Sequence, residues 1–401
     1  MSAENKLETL FRLPGKKPDI ISLMLLSAFA SMGAIVMMPA LPRMADFFNK
    51  DIGTTQLAVT TFLFGYAIGQ LFYGPLANRY GRKFALYVGI FIATLGSLFS
   101  IFSSPTDSFS FLIIGRFLEA FGSTAGLAIS VTIINEFYFE KDARKIMGLL
   151  MLAFAIVPGV AIATGGYLVQ YLHWISCFYF LLFYGLLLLY PTYKLPETLQ
   201  QKDFDAIKMR YVLRHYKDKF INKKLMAFAI LCGLSGGCVY VFGAEGPFIG
   251  IHLLKISPSM YGLLGLTPYI GTLLGSILVV RFAKYNSIAV IKFAFLIELI
   301  SSIAMLILFL MQDVNLYSML IPMGIFCIGN PILTATAITL AMQQDSDKSN
   351  TSAVANFTSI SMPVLLTFLL GATHIASPWI MPVIFLFALL LMCTIYRLAV
   401  R

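Results

Sequence analysis

Three ionisable residues stand out by the company they keep. Arg116 and Glu119 lie in the apolar run 109–136, and Glu245 lies in the apolar run 225–251. An ionisable side chain at the centre of a membrane helix costs about 2.5–3.5 kcal/mol on insertion scales, so one that is retained is read first as functional. The chemistry open to such groups is proton binding, since burial and neighbouring charge decide whether a carboxyl holds its proton. Arg116 and Glu119 are three residues apart, share a helix face and can pair. Two readings stand for that pair: a switch in which protonation of Glu119 frees or engages Arg116, or a static ion pair that fixes packing. Glu245 directly precedes Gly246-Pro247, where a helix break could admit water to a carboxylate; the alternative is a position in contact with water at the membrane interface.

These groups are buried only if the chain crosses lipid, and its composition requires that. Of 401 residues 59% are hydrophobic and 12% are charged, where a soluble domain carries roughly 25% charge; the mean hydropathy is +0.83. An ordinary soluble enzyme is excluded, because too little polar material is present to cover a core. Apolar stretches fall at 20–41, 56–77, 84–102, 109–136, 146–170 and 173–193, then at 225–251, 259–282, 287–311, 316–342, 351–374 and 378–398. About 20 residues cross a bilayer, so the expected fold is an all-α polytopic membrane protein with twelve transmembrane helices. The expected organisation is a segment 1–19, a six-helix bundle 20–193, a polar linker 194–224, a second six-helix bundle 225–398 and a tail 399–401. Lys and Arg mark the cytoplasmic side. With the N-terminus inside, 25 of the 29 cations fall in cytoplasmic segments, which predicts an N-in, C-in topology.

The net charge of +10 is spread between apolar runs rather than clustered on a wet face, so nucleic acid is not an expected partner. Cys177, Cys232, Cys238, Cys327 and Cys393 all lie in apolar segments with no metal-binding spacing, which predicts packing residues and no metal site. The first 19 residues lack the apolar core of a signal peptide, so the first span is expected to stay in the mature protein. Gly122 and Gly126, Gly233 and Gly237, Gly246 and Gly250, and Gly271 and Gly275 are four apart and offer bare backbone to a neighbouring helix. Pro158-Gly159, Gly165-Gly166, Gly246-Pro247 and Asn330-Pro331 are expected to break or bend helices along a pathway.

The most specific pattern is Gly74-Pro75-Leu76-Ala77-Asn78-Arg79-Tyr80-Gly81-Arg82-Lys83, between the second and third spans. Gly74 would permit close helix contact, Gly81 a tight turn, and Arg79, Arg82 and Lys83 could pair with helix C-termini or acids nearby. Its full spacing resembles the signature loop of the major facilitator superfamily of secondary transporters. Leu112 to Gly122, with Arg116 six positions before the glycine, resembles that family's fourth-span motif. Pro39-Ala40-Leu41-Pro42, Leu195-Pro196-Glu197-Thr198-Leu199, and Gly246-Pro247-Phe248 followed by Tyr261-Gly262-Leu263-Leu264 resemble the bicyclomycin-resistance branch of its drug:proton antiporters. Three positions depart from the pattern. Asn78 stands where the family loop usually has an acid, Ile35 stands where the branch commonly has an aspartate, and Ala161-Ile162-Ala163-Thr164-Gly165-Gly166 lacks the fifth-span proline.

The resemblance implies two pseudo-symmetric six-helix halves, with spans 1, 4, 7 and 10 facing a central cavity. That arrangement favours Arg116, Glu119 and Glu245 as proton-coupling groups. It places Glu298 on a peripheral span, where an interhelical hydrogen bond is the expected role. A substrate site between the halves near mid-membrane would be lined by Met37, Tyr66, Gln70, Asn135, Tyr240, Tyr269 and Asn330, with Phe29 and Met38 as apolar wall. The expected function is proton-coupled export of drugs or related compounds by a monomer in the bacterial inner membrane. Its energy would come from the proton gradient, with no cofactor, and its partners would be a small-molecule substrate and the lipid bilayer. The alternative is a dedicated transporter of one metabolite or siderophore, in either direction. A remote alternative is an intramembrane serine protease, because Gly233-Leu234-Ser235-Gly236-Gly237 fits G-x-S-x-G and His252 or His374 could supply a base.

Overall fold

The computed structural model describes residues 17–208, 216–282, 284–311, 313–345, 347–373 and 377–399. Most of the segment 1–19, Arg210, Arg214 and His215 of the linker, His374, and Arg401 of the tail therefore lie outside the described residues. All regular elements among the described residues are helical. We label them α1 (Ile20–Phe48), α2 (Ile52–Tyr80), α3 (Arg82–Phe102), α4 (Phe109–Phe137), α5 (Glu140–Tyr171), α6 (Ser176–Lys194), α7 (Lys223–Leu253), α8 (Pro258–Phe282), α9 (Ser287–Leu310), α10 (Leu316–Met342), α11 (Lys348–Ala372) and α12 (Ile380–Ala399). Eleven helices among the described residues are long and apolar enough to cross a membrane, while the apolar part of α5, Ile156–Tyr171, is shorter.

Polar residues just ahead of the apolar runs explain where many helices begin. An Asp or Asn side chain there accepts a hydrogen bond from a backbone N–H that has no intrahelical partner. Asp19 accepts from Ser22 N at 3.0 Å, Asp51 from Thr54 N at 2.9 Å, and Asn222 from Leu225 N at 3.2 Å. Asn286 caps α9 through Ile288 N at 2.9 Å, and Asn315 forms a reciprocal box with Ser318 at the head of α10. These contacts satisfy backbone N–H groups of the first turn that have no intrahelical acceptor.

The same set of pairings occurs twice, offset by six helices. In the first half α1 packs on α4 and α5, α4 on α2 and α3, and α3 on α6; in the second, α7 packs on α10 and α11, α10 on α8 and α9, and α9 on α12. The halves meet along two seams, α2 with α11 and α5 with α8. We call the end that carries the α2–α3 turn and residues 194–222 the linker end, and the opposite one the far end.

Glycines let these helices approach closely. A Cβ on Gly122 would collide with Ala93 N and Gly89 O of α3, and one on Gly96 with Glu119 N of α4. Gly126 faces the Leu26 carbonyl of α1, so the pair at 122 and 126 serves two different neighbours. Gly233 and Gly237 both face α11, and Gly271 and Gly275 both face α10.

The expected helix breaks are corrected. α5 runs unbroken through Pro158, Gly159, Gly165 and Gly166, and α10 runs unbroken through Asn330-Pro331. Gly246-Pro247 does not interrupt α7 either: its α-helix continues into a π-helical turn, Phe248–Leu253. A proline removes one helical hydrogen bond, and neighbouring helices hold the rest of the ladder in place. The glycines of α5 serve packing, with Gly165 against the Val36 carbonyl and Gly166 against Pro258 and Gly262 of α8. Other irregularities occur elsewhere: α1 passes through a 3-10 turn at Met38–Ala40 beside Pro39 and Pro42, and α6 and α8 are each interrupted by one turn residue, Leu188 and Gly265.

Candidate functional site

The ionisable groups within the helices occupy three separate places. Arg116 is completely buried inside the first half. Its Nη1 donates to Glu119 Oε2 at 3.0 Å, its Nε reaches the Ala58 carbonyl at 3.4 Å, and its guanidinium lies 4.1 Å from the centre of the Phe62 ring. Arg116 Nη2 and Glu119 Oε1 have no hydrogen-bond partner among the described residues. Gly33 of α1 makes room for the carboxylate, since a Cβ there would lie 2.7 Å from Glu119 Oε1. Four helices thus enclose the pair: α4 carries it, α2 covers it with Phe62, α1 with Gly33, and α6 places Phe178 6.0 Å from the guanidinium.

Glu245 lies at the far end of α7, 4% exposed, and accepts a 2.5 Å hydrogen bond from Gln56 Nε2 in α2. The same amide reaches the Ala244 carbonyl at 3.5 Å. This bond joins the two halves. One turn further along α2, Thr60 donates to Thr367 Oγ1 of α11 at 3.0 Å, and a Cβ on Gly371 would lie 2.9 Å from the Gly53 carbonyl. The far end of the α2–α11 seam is therefore tied by polar groups and closely apposed backbones. Met37 and Met38 are fully buried next to it, with Met38 over Gly243 of α7.

Glu298 is fully buried within the second half and accepts from Ser235 Oγ of α7 at 2.5 Å. Ser235 in turn accepts from Asn330 Nδ2 of α10 at 2.8 Å. Three helices meet at this cluster, and Glu298 Oε2 has no partner among the described residues. Asn330 is engaged here. Ser235 donates to a carboxylate rather than to an imidazole, and His252 lies about 17 residues further along the same helix, roughly 25 Å away. A serine nucleophile needs its base within hydrogen-bond reach, so His252 cannot serve, and His374 lies outside the described residues.

Tyr66 and Gln70 lie four residues apart on α2 and are both buried, and Tyr240 of α7 and Tyr269 of α8 lie nearby. Residues from both halves therefore come together between α2, α7 and α8. Asn135 is exposed near the linker end of α4 and stands apart from them.

At the linker end the α2–α3 turn is held by a network of its own. Gly81 has φ of +114°, a region that only glycine occupies without strain. Arg82 pairs with Glu136 of α4 and donates from Nη1 to Asn78 Oδ1 at 2.8 Å. Thr198 Oγ1 donates to Glu136 at 2.7 Å, and the Glu197 carboxylate accepts from Arg82 N at 2.9 Å and Lys83 N at 3.1 Å, capping α3 from the far side of α6. Lys83 Nζ donates to the Tyr193 carbonyl at 2.8 Å, and Arg79 lies 4.1 Å from the Phe204 ring centre. Gly74 is corrected: a Cβ there would meet nothing within 4 Å, because it sits on an exposed face of α2.

The sequence reading missed two of these residues. Glu136 supplies the negative charge that Asn78 lacks, and its only signal was an acid at the end of an apolar run. Gln56 gave no signal, since its partner is 189 positions away.

A short cation-rich turn locked by Glu136 of α4 and by Glu197 just after α6, a buried Arg-Glu pair on α4, and pairings that recur with a six-helix offset occur together on one chain. Residues 23–362 match the family described as Major Facilitator Superfamily. The chain belongs to the major facilitator superfamily.

Its relatives include a protein of Haemophilus influenzae named bicyclomycin resistance protein homolog, 24% identical over 83% of each chain. Multidrug resistance protein D of Escherichia coli is 26% identical over 81% of this chain and 80% of its own. The chloramphenicol resistance protein CraA of Acinetobacter baumannii is 22% identical over 87% and 83%. These agree with the likeness to the bicyclomycin-resistance branch. Among solved structures, a D-xylose-proton symporter superposes with a TM-score of 0.74 at 15% identity, covering 93% of this chain and 96% of its own. A bacterial homolog of the human lysosomal transporter Spinster, in an inward-facing conformation, gives 0.67 at 16% identity, covering 96% and 98%. This major facilitator is a transporter of the superfamily type and a multi-pass protein of the bacterial inner membrane.

Proposed function

We propose that this chain is a proton-coupled exporter of small organic drugs and related compounds, working as a monomer by alternating access. It crosses the membrane twelve times with both termini in the cytoplasm, which makes the linker end cytoplasmic. The proton gradient supplies the energy, and no cofactor takes part. The observation that carries this reading is the position of Glu245: a buried carboxyl in the seam between the halves, bonded to Gln56 of the opposite half. A hydrogen bond to an ionised carboxylate is roughly twice as strong as one between neutral partners, so the charge on Glu245 bears directly on how firmly the far end is closed. The Arg116–Glu119 pair is a second group of this kind, with one donor and one acceptor free to respond when Glu119 gains a proton. The substrate binds beside Tyr66, Gln70, Tyr240 and Tyr269, where aromatic faces suit flat, mostly apolar molecules.

The test is transport by the full-length protein in liposomes under an imposed proton gradient, against a panel led by bicyclomycin and chloramphenicol, the compounds that relatives' names carry. Drug movement that collapses with the gradient supports the reading; indifference of every drug to the gradient overturns it. A second reading, a dedicated transporter of one metabolite or siderophore, is favoured by Ile35, which is buried and apolar where the branch commonly has an aspartate. Flux of a single nutrient class with no drug flux would establish it.

A further inference from the structure

We propose that the second half carries a binding site for one phospholipid with an anionic head group, between α7, α9, α10 and α12 at the linker end. A cavity of about 510 Å³ opens there, away from the residues assigned to substrate and to protons. Lys292 of α9 and Arg397 of α12 are exposed at its mouth beside Tyr396. Neither cation has an ion pair among the described residues. The floor is apolar, formed by Leu231 of α7 and Leu333 of α10, both buried.

Depth separates the two chemistries. Arg397 is in the last turn of α12, at the level where helices end and head groups lie. Leu231 is about eight residues into α7, roughly 12 Å deeper at 1.5 Å per residue, and so at the level of acyl chains. Cations at the surface over an apolar floor fit an amphiphile, and basic cavities between helices on the cytoplasmic side suit anionic head groups. A free anion would leave the floor unused, and a neutral lipid would leave both cations without a partner. The floor also lies one turn below the polar cluster of the second half: Leu231 precedes Ser235 by one turn, and Leu333 follows Asn330 by one turn. A bound acyl chain would therefore rest against the helices that this cluster ties together.

Purified full-length protein in mild detergent would be titrated with phosphatidylglycerol or phosphatidylcholine and the retained lipid counted by native mass spectrometry. The expected result is preferential retention of phosphatidylglycerol, falling about 25-fold in K292Q/R397Q, since each cation near an anionic head group contributes roughly fivefold. The charge-keeping variant K292R/R397K should retain the lipid, and Cys393→Trp, which fills the cavity while leaving both cations, should lose it. Equal retention of the two lipids, or wild-type retention by K292Q/R397Q, overturns the proposal. Displacement of phosphatidylglycerol by millimolar inorganic phosphate also overturns it, because the site would then be one for a free anion.

Discussion

Arg116 and Glu119 neutralise one another but do not satisfy one another, and this separates their two roles by experiment. Removing one partner of a buried ion pair typically costs about 3–5 kcal/mol, because the other charge is left uncompensated, whereas replacing both with apolar groups is often neutral or stabilising. Glu119→Gln should therefore lower the melting temperature markedly, and the double variant R116M/E119L should recover most of that loss. If the pair is a proton switch, the double variant stays folded yet loses gradient-driven flux; retained flux would make it a packing device only. At the far end, Gln56→Leu should leave Glu245 buried without its donor. Its expected effect is a changed pH profile of transport with a stability loss of about 1–3 kcal/mol, and an unaltered profile would remove Gln56 from the mechanism. The charged residues were legible in the sequence because charge is so scarce in these helices. Gln56 and Glu136 were not, because a lone polar residue near the end of an apolar run looks like any helix terminus until its distant partner is known.

Helix caps and glycine faces are the features that act on the scale of single elements. Asp19, outside the first span, accepts from the hydroxyl and the backbone N–H of Ser22, at 2.7 and 3.0 Å. The Ser22 hydroxyl is the largest cause holding its carboxyl below the usual range, with nearby backbone N–H groups and Lys194 acting in the same direction. A carboxylate whose pKa is depressed by folding contributes stability in full above its unfolded value of about 3.9, and loses it as pH falls through the folded value. Asp19→Ala should cost about 1 kcal/mol near neutral pH, with the gap to wild type closing on acidification towards pH 3, as read by melting in detergent. Gly122→Ala should cost about 1–3 kcal/mol, because its Cβ has no room against Ala93 and Gly89; an unchanged melting temperature would show that α3 can move aside. The apolar runs located most helix ends to within a few residues but missed the end of α1 by seven and the start of α5 by six. The expected breaks misled because proline and glycine carry two meanings in lipid, a lost hydrogen bond and a smooth face, and only the neighbouring helix decides between them. α5 uses the second.

The assembled molecule is closed at the far end where α2 meets α11, and this closure can be tested directly. Gly53 and Gly371 bring their backbones close across the seam, so the pair G53C/G371C should cross-link under mild oxidation. Transport should stop when it does and return on reduction. Failure to cross-link during turnover would mean that this end rarely closes. At the linker end the halves are joined differently. Pro75 has no N–H to offer the Leu71 carbonyl, and Tyr216 of the linker donates to that carbonyl at 3.3 Å. Lys219, three residues on, pairs with Asp345 of the second half at 2.5 Å. A single turn of chain thus grips α2 on one side and the α10–α11 junction on the other. In the alternating access proposed above, rocking of the halves would have to stretch or release that grip, and a proline that weakens one helix would then become the anchor point of a mechanical stop.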